Sequence, residues 1–227
     1  MGVCGVVVAG GAGERLGLGV PKLEAPLCGL PLVYYALRAF ENCQSVREVV
    51  LVVPEERIPV WTIERLRSLQ ITKVNAVVKG GASRQESVHN ALRAISECEI
   101  VSIHDGARPC VTPQLIEKTL YFPPGVSGTI LGLRVTDTVK EVSDGKVVST
   151  LEREKLVLVQ TPQSFLFQEI LKAHEEARRD GFTGTDDASL VERRGGVVIV
   201  REGSRTNIKV TYPEDLKEAE RILKEMS

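Results

Sequence analysis

Four short runs dense in Val and Ile punctuate the first half of the chain: 3–8 (VCGVVV), 47–53 (REVVLVV), 73–78 (KVNAVV) and 99–103 (EIVSI). Segments of helical periodicity, 31–41, 55–69 and 84–97, separate them. None of the four runs alternates apolar with polar residues. A strand of that kind buries both faces, as it does in a parallel sheet covered by helices on either side. Successive β-α units of this kind cross over right-handed and build an open sheet. The expectation is one α/β domain over residues 1–227, with a mostly parallel, twisted, Rossmann-like sheet flanked by helices. A closed barrel of eight β-α units would need the repeat to continue, and it breaks after residue 125.

Past the break the chain reads as strand, strand, turn, strand: SGTILGLRV, TVKEV, Ser143-Asp144-Gly145 and KVVSTL. Asp-Gly between two extended segments is a hairpin signal. The TVKEV and KVVST segments carry few large apolar side chains, so the hairpin at about 134–153 is expected to project as an arm. Beyond it lie a strand at 156–160, helices at 164–179 and 186–194, strands at 197–201 and 207–210, and a helix at 213–225. Pro213, Glu214 and Asp215 suit the first turn of that last helix, where the missing proline N–H is harmless and acids meet the positive dipole end.

Composition removes several classes of function. Lys plus Arg is 29 and Asp plus Glu is 30, a formal net charge of −1. Chains that work on a nucleic-acid backbone usually carry a basic excess. No apolar run approaches the roughly 18–20 residues of a membrane helix. The start, MGVCGVVVAGGAGERLG, lacks the charged region of a signal peptide and reads as mature fold. Cys4, Cys28, Cys43, Cys98 and Cys110 are scattered singly, the pattern of reduced, buried thiols in a cytoplasmic chain.

The first run leads into Ala9-Gly10-Gly11-Ala12-Gly13-Glu14-Arg15-Leu16-Gly17. Glycines at a first β-α connection let backbone N–H groups approach an anion closely. A dinucleotide fingerprint fails here, because Leu16 stands where the third glycine is needed. A P-loop fails too, because the Gly145-Lys146 pair is followed by Val. Arg15 and, after a short stretch, Pro21-Lys22 supply cations instead, so the loop reads as phosphate-binding.

AGGAGERLG…PK is similar to the signature loop of nucleotidyltransferases that couple an NTP to a phosphorylated substrate. Further segments come in order: Gly80-Gly81-Ala82-Ser83-Arg84-Gln85-Glu86-Ser87-Val88, His104-Asp105-Gly106-Ala107-Arg108-Pro109 and Thr136-Asp137-Thr138-Val139-Lys140. Thr161-Pro162-Gln163, Thr185-Asp186-Asp187-Ala188-Ser189 and Asn207-Ile208-Lys209-Val210-Thr211 complete the set. Together they resemble the 2-C-methyl-D-erythritol 4-phosphate cytidylyltransferase family of the non-mevalonate isoprenoid pathway, from residue 5 to about 216.

That resemblance implies transfer of CMP from CTP to methylerythritol phosphate, with Mg²⁺ as cofactor and a homodimer as the working unit. It implies catalytic roles for Arg15, Lys22 and Lys209, cations that neutralise crowded phosphate charge. It implies nucleotide binding by Ala9, Gly10, Gly11, Gly13, Gly80, Gly81, Ser87, Asp105 and Gly106, with Asp105 also the metal ligand. Arg108, Thr138, Arg153, Thr161 and Thr185 fall to the acceptor, and the arm carries Thr138 and Arg153 to the partner subunit's site. His104 reads as structural, because the attacking phosphate is already an anion. Three positions depart from the family pattern: Leu23-Glu24 after Pro21-Lys22, Gly106 after Asp105, and Thr206 where an acid often precedes Asn-Ile-Lys. The competing readings are a ribitol-5-phosphate cytidylyltransferase, an NAD-dependent oxidoreductase, and an inactive nucleotide sensor.

Overall fold

The computed structural model describes residues 2–10 and 21–226. In chain order the elements are β1 (Val3–Val8), β2 (Pro26–Leu27), β3 (Leu30–Pro31), α1 (Leu32–Asn42), β4 (Val46–Val53), α2 (Ile63–Ser68), β5 (Val74–Lys79), α3 (Arg84–Ala94) and β6 (Ile100–Asp105). They continue with α4 (Pro113–Lys118), β7 (Gly128–Arg134), β8 (Lys140–Ser143), β9 (Lys146–Thr150), β10 (Val157–Leu166), α5 (Phe167–Arg179), α6 (Asp187–Arg193), β11 (Val198–Glu202) and α7 (Pro213–Met226). Seven strands form the central sheet in the order β11-β7-β10-β6-β1-β4-β5. β10 alone runs against both of its neighbours, and every other pairing in that sheet is parallel.

The strands lack polar alternation because the sheet has a hydrophobic core on each face. Val7, Val49, Leu51 and Val53 point to one core, where α1, α2, α4 and α7 supply Phe40, Leu66, Ile116 and Ile222. Cys4, Val6, Val50, Val52, Val101 and Ile103 point to the other, where α3, α5 and α6 supply Leu92, Ile170 and Leu190. Successive strand residues serve opposite cores, as a pleat of period two requires.

Four sequence expectations need correction. The helix expected at 55–69 is a 3-10 turn at Glu55–Arg57 and then α2, because Pro59 has no N–H to donate into a continuing helix. The strand expected at 156–160 runs on to Leu166, since Gln163–Leu166 pair with β6. The helix expected from 164 therefore starts at Phe167. Asn207–Val210 form no strand: Ile208 N–H donates to the Thr206 carbonyl at 2.8 Å and Val210 N–H to that of Ala107 at 2.8 Å. Helix α4, opened by a Thr112 cap that accepts the Leu115 N–H, was not anticipated.

The hairpin is as expected. β8 and β9 form a separate two-stranded sheet joined through Asp144 and Gly145, both at positive φ (50° and 75°), the conformation of a tight hairpin turn. Its face is less polar than the sequence suggested, because Val142, Val147 and Val148 are all exposed. All five cysteines are free thiols, and Cys28, unlike the other four, is exposed rather than buried. No helix among the described residues is long and apolar enough to cross a membrane.

Candidate functional site

Parallel strands β1, β4, β5 and β6 end along one edge of the sheet. The chain moves outward from β1 through β4 to β5, then returns to β6 on the other side of β1. Ligands of open α/β sheets bind where the strand order reverses in this way. Ala9-Gly10 leave β1 there, and Asp105-Gly106 end β6 beside them. The Gly106 N–H donates to the Val8 carbonyl at 2.9 Å, which ties the two strand ends together.

A wall of glycine stands next to this junction. A Cβ on Gly80 would lie 3.2 Å from Ser87 Oγ, a tight contact, and 3.6 Å from the Gly10 Cα, so the two backbones run close together here. Ser87 is buried one turn into α3. Its hydroxyl donates to the Ser83 carbonyl at 2.9 Å and accepts the Gly81 N–H at 3.0 Å, which pins the loop. Ser83 caps α3 by accepting the Glu86 N–H, and Glu86 reaches back to the Ala82 N–H at 2.8 Å. This reciprocal capping sets the helix start, and with it the position of Arg84.

Asp105 is the electrostatic centre. Its Oδ1 pairs with Arg84 Nε at 2.9 Å and its Oδ2 with Lys209 Nζ at 2.7 Å. Arg84 also reaches Asp187 on α6, Nη1 to Oδ2 at 2.7 Å, and Asp187 meets His174 Nε2 at 3.1 Å. Burial pushes the Asp105 carboxyl upward, but the Arg84 and Lys209 cations outweigh it and hold the group well below the usual carboxylate range. Burial opposes ionisation of Asp187 as well, and Arg84 and His174 lower it on balance. Arg84 Nη2 is buried without a partner among the described residues, and so is Arg108 Nε. Arg108 Nη1 donates to the Asn207 carbonyl at 2.8 Å, which ties the Lys209 segment to the loop after β6.

His104 is fully buried beside this carboxylate. Its Nε2 lies 3.1 Å from the Arg108 carbonyl, which can only accept, so that nitrogen carries the proton. Nδ1 then accepts from the Thr161 hydroxyl at 3.1 Å, and that hydroxyl accepts the Asp105 N–H at 3.0 Å. Burial lowers His104 from 6.5 to about 4, so the ring is neutral at neutral pH. Thr161 is thereby committed to holding the strand end.

The structure thus gathers Ala9, Gly10, Gly80, Gly81, Ser87, Asp105, Gly106, Arg108, Thr161 and Lys209 around one junction. Lys22 begins a 3-10 turn (Lys22–Glu24) whose Leu23 side chain packs against Gly106. Thr138 and Arg153 lie apart, on and beside the arm, where Arg153 Nη1 donates to the Thr136 carbonyl at 2.8 Å. Thr185 is exposed just before the Asp186 cap of α6. Gly11, Gly13 and Arg15 lie outside the described residues. Arg84, Asp187 and His174 were missed. Arg84 and Asp187 stand inside the quoted segments, and the signal was a charge at the first position of each helix.

A family model described as 2-C-methyl-D-erythritol 4-phosphate cytidylyltransferase (IspD) matches residues 3–225. The protein of that name from Bacillus mycoides (strain KBAB4) is 43% identical over 218 residues, 96% of each chain. The one from Dictyoglomus thermophilum is 42% identical over 225 residues, 97% of this chain and 96% of its own. The crystal structure of the Thermus thermophilus enzyme of the same name superposes with a TM-score of 0.79 at 30% identity, covering 96% of this chain and 98% of that one.

The buried neutral histidine gives a pH prediction. His104 titrates at about 4 when folded and near 6.5 when unfolded. Its contribution to stability is full above 6.5 and is lost as pH falls towards 4, on the order of 3 kcal/mol in all. His89, also lowered by burial, adds with the same sign. Urea unfolding at pH 7, 5.5 and 4.5 should show stability falling steadily, with a shallower fall in His104→Gln. Equal pH dependence in the two proteins would show that the ring is not held neutral by its surroundings.

Proposed function

The chain belongs to the 2-C-methyl-D-erythritol 4-phosphate cytidylyltransferase family, and from that premise we propose that it transfers CMP from CTP to 2-C-methyl-D-erythritol 4-phosphate. The products are 4-diphosphocytidyl-2-C-methyl-D-erythritol and pyrophosphate. The similar proteins support this acceptor and not ribitol 5-phosphate. The observation that carries the reading is the Asp105–Lys209 pair at the point where the sheet order reverses.

A phosphate oxygen of the acceptor attacks the α-phosphorus of CTP. One P–O bond forms, the bond to the bridging oxygen breaks, and pyrophosphate leaves with that electron pair. Charge builds on the oxygens around phosphorus, so fixed cations do most of the work. Lys209 is aimed by Asp105, and Lys22 stands on the turn that packs against Gly106. Arg15 completes the triphosphate grip. The attacking oxygen needs no deprotonation, which agrees with a His104 that is buried, neutral and bonded at both nitrogens. Cytosine recognition falls to the Gly10, Gly80, Gly81 and Ser87 wall, where fixed backbone groups can meet a pyrimidine edge. Arg108 and Thr185 face the acceptor.

Mg²⁺ fits the donor set in one way. No group of three or more His, Cys, Asp or Glu side chains gathers among the described residues. Asp105 is a single anionic oxygen ligand, and Mg²⁺ commonly takes one or two carboxylates with phosphate oxygens completing its shell. Asp105 would hold the ion, which neutralises phosphate charge when bound.

The working unit we propose is a cytoplasmic homodimer. Val142, Val147 and Val148 on the arm and Val157, Leu158 and Val159 on β10 are exposed. A lone two-stranded ribbon is marginal in water and is held by a second surface. A two-fold partner supplies one and receives the same in return. The arm would then deliver Thr138 and Arg153 to the neighbouring site.

Pyrophosphate release should require methylerythritol phosphate within a panel of polyol phosphates, and should favour CTP over ATP, GTP and UTP. Equal turnover with a purine triphosphate would remove the base assignment. Lys22→Ala and Lys209→Ala should each lower kcat on the order of 100-fold with little change in CTP affinity, because the cations act mainly on transition-state charge. Near-normal kcat in either would remove that lysine from the mechanism.

The shared site has its own test. Lys22→Ala and Arg153→Ala enzymes, each expected to be severely impaired, are mixed after dissociation and allowed to reassociate. If the arm acts in trans, a mixed dimer holds one intact site, and random exchange leaves about a quarter of all sites intact. Mixing that recovers no activity, with exchange confirmed by a mass tag, would place Arg153 in its own subunit's service.

A further inference from the structure

We propose that Glu24 is a positioning residue for Lys22, acting through a clamp with Arg57 and Trp61. The inference rests on the catalytic reading of Lys22 given above.

Lys22 opens a turn only three residues long, Lys22–Glu24. Two backbone bonds hold it: Glu24 N–H to the Pro21 carbonyl at 2.8 Å, and Ala25 N–H to the Lys22 carbonyl at 3.2 Å. No longer helix follows to stiffen it, and a single 3-10 turn has weak hydrogen-bond geometry of its own. Its C-terminal end is tied to α1 by the Leu32 N–H, which donates to the Ala25 carbonyl at 3.0 Å, and its side chains add the rest of the anchoring.

Two of them provide it, in different directions. Leu23 is buried and points inward. A Cβ on Gly106 would come within 3.3 Å of Leu23 Cδ2, so this side chain fills the space over the strand end that carries Asp105. Glu24 points to the connection between β4 and α2. Its Oε1 accepts from Arg57 Nε at 2.7 Å and from Trp61 Nε1 at 3.1 Å, while Arg57 Nη2 bonds Oε2. The Arg57–Glu24 pair is therefore a two-pronged fork, the arrangement that fixes a carboxylate in direction as well as distance.

The far side of the clamp is rigid. Trp61 is 2% exposed and is the one tryptophan of the chain. The Arg65 guanidinium lies 4.6 Å from its ring centroid and covers it. Arg57 sits in the 3-10 turn that follows β4, a central strand of the sheet. Glu24 thus links the Lys22 turn to two fixed points. A lysine on a long flexible stem delivers its charge to one place only if its Cα is held, and small displacements of a positioned group cost rate rather than ground-state binding.

The test compares Glu24→Ala, Glu24→Gln and Arg57→Gln, each alone and combined with Lys22→Ala, well below their unfolding temperatures. Glu24→Ala and Arg57→Gln should lower kcat about tenfold, with KM for CTP and for the acceptor within about twofold. Glu24→Gln keeps one oxygen for Arg57 Nε and Trp61 but sets an amide N–H against Arg57 Nη2, and should lose less rate than Glu24→Ala. In the Lys22→Ala background the same changes should lower kcat no further, because the group they position is gone. Trp61 emission reports directly that the clamp has opened while the fold persists. Unchanged kcat in folded Glu24→Ala and Arg57→Gln overturns the proposal. So does the same fold-loss with and without Lys22, which marks a general structural role. Near-normal kcat in Lys22→Ala alone overturns the catalytic reading of Lys22, and the proposal with it.

Discussion

A carboxylate buried at a strand end cannot stay ionised without a cation, and Asp105 has two. Leaving it unpaired would cost several kcal/mol, and removing one partner of such a buried pair typically costs about 3–5 kcal/mol. Arg84 and Lys209 meet that requirement from opposite directions, one from the start of α3 and one from the segment after β11. The same contacts set where both cations lie. Arg84 carries the constraint onward to Asp187 and His174, so α6 and α5 are tied to the same charge. The electrostatics that make this corner stable are those that gather positive charge where phosphates would sit.

The fold makes that corner from ordinary parts. Two cores press on the sheet from either side, so the strands hold fixed positions and their ends hold fixed directions. Hydrogen bonds then join one end to the next: Gly106 to Val8, Gly80 to Val53, Val210 to Ala107. Gly10 and Gly80 bring two backbones close together beside Ser87, whose hydroxyl a Cβ on Gly80 would crowd at 3.2 Å. The relay from Arg108 through His104 and Thr161 to the Asp105 N–H uses polar groups in the interior without leaving the ring nitrogens unpaired.

Much of this was legible in the sequence. Unbroken Val and Ile runs between helical segments specify a sheet covered on both faces, and Asp144-Gly145 specifies a tight hairpin. The segments around Gly80, Asp105 and Lys209 were recognisable as site segments. Arg84 and Asp187 were not, because their role is an ion pair between residues 103 apart in the chain. A sequence shows only that each begins a helix. Residues 164–166 read as the start of a helix, yet pairing with β6 decides their conformation. Asn207–Val210 looked like a strand, and tertiary contacts take up its backbone instead of a ladder.

The central claim is that CTP binds at the junction organised by Asp105. A crystal structure of the chain with CTP bound tests it most directly. The cytosine should lie against the Gly10–Gly80 wall beside Ser87, with the α-phosphate next to Lys209 and the triphosphate reaching the Lys22 turn. Nucleotide density elsewhere, with the Asp105–Lys209 pair untouched by phosphate, would contradict it.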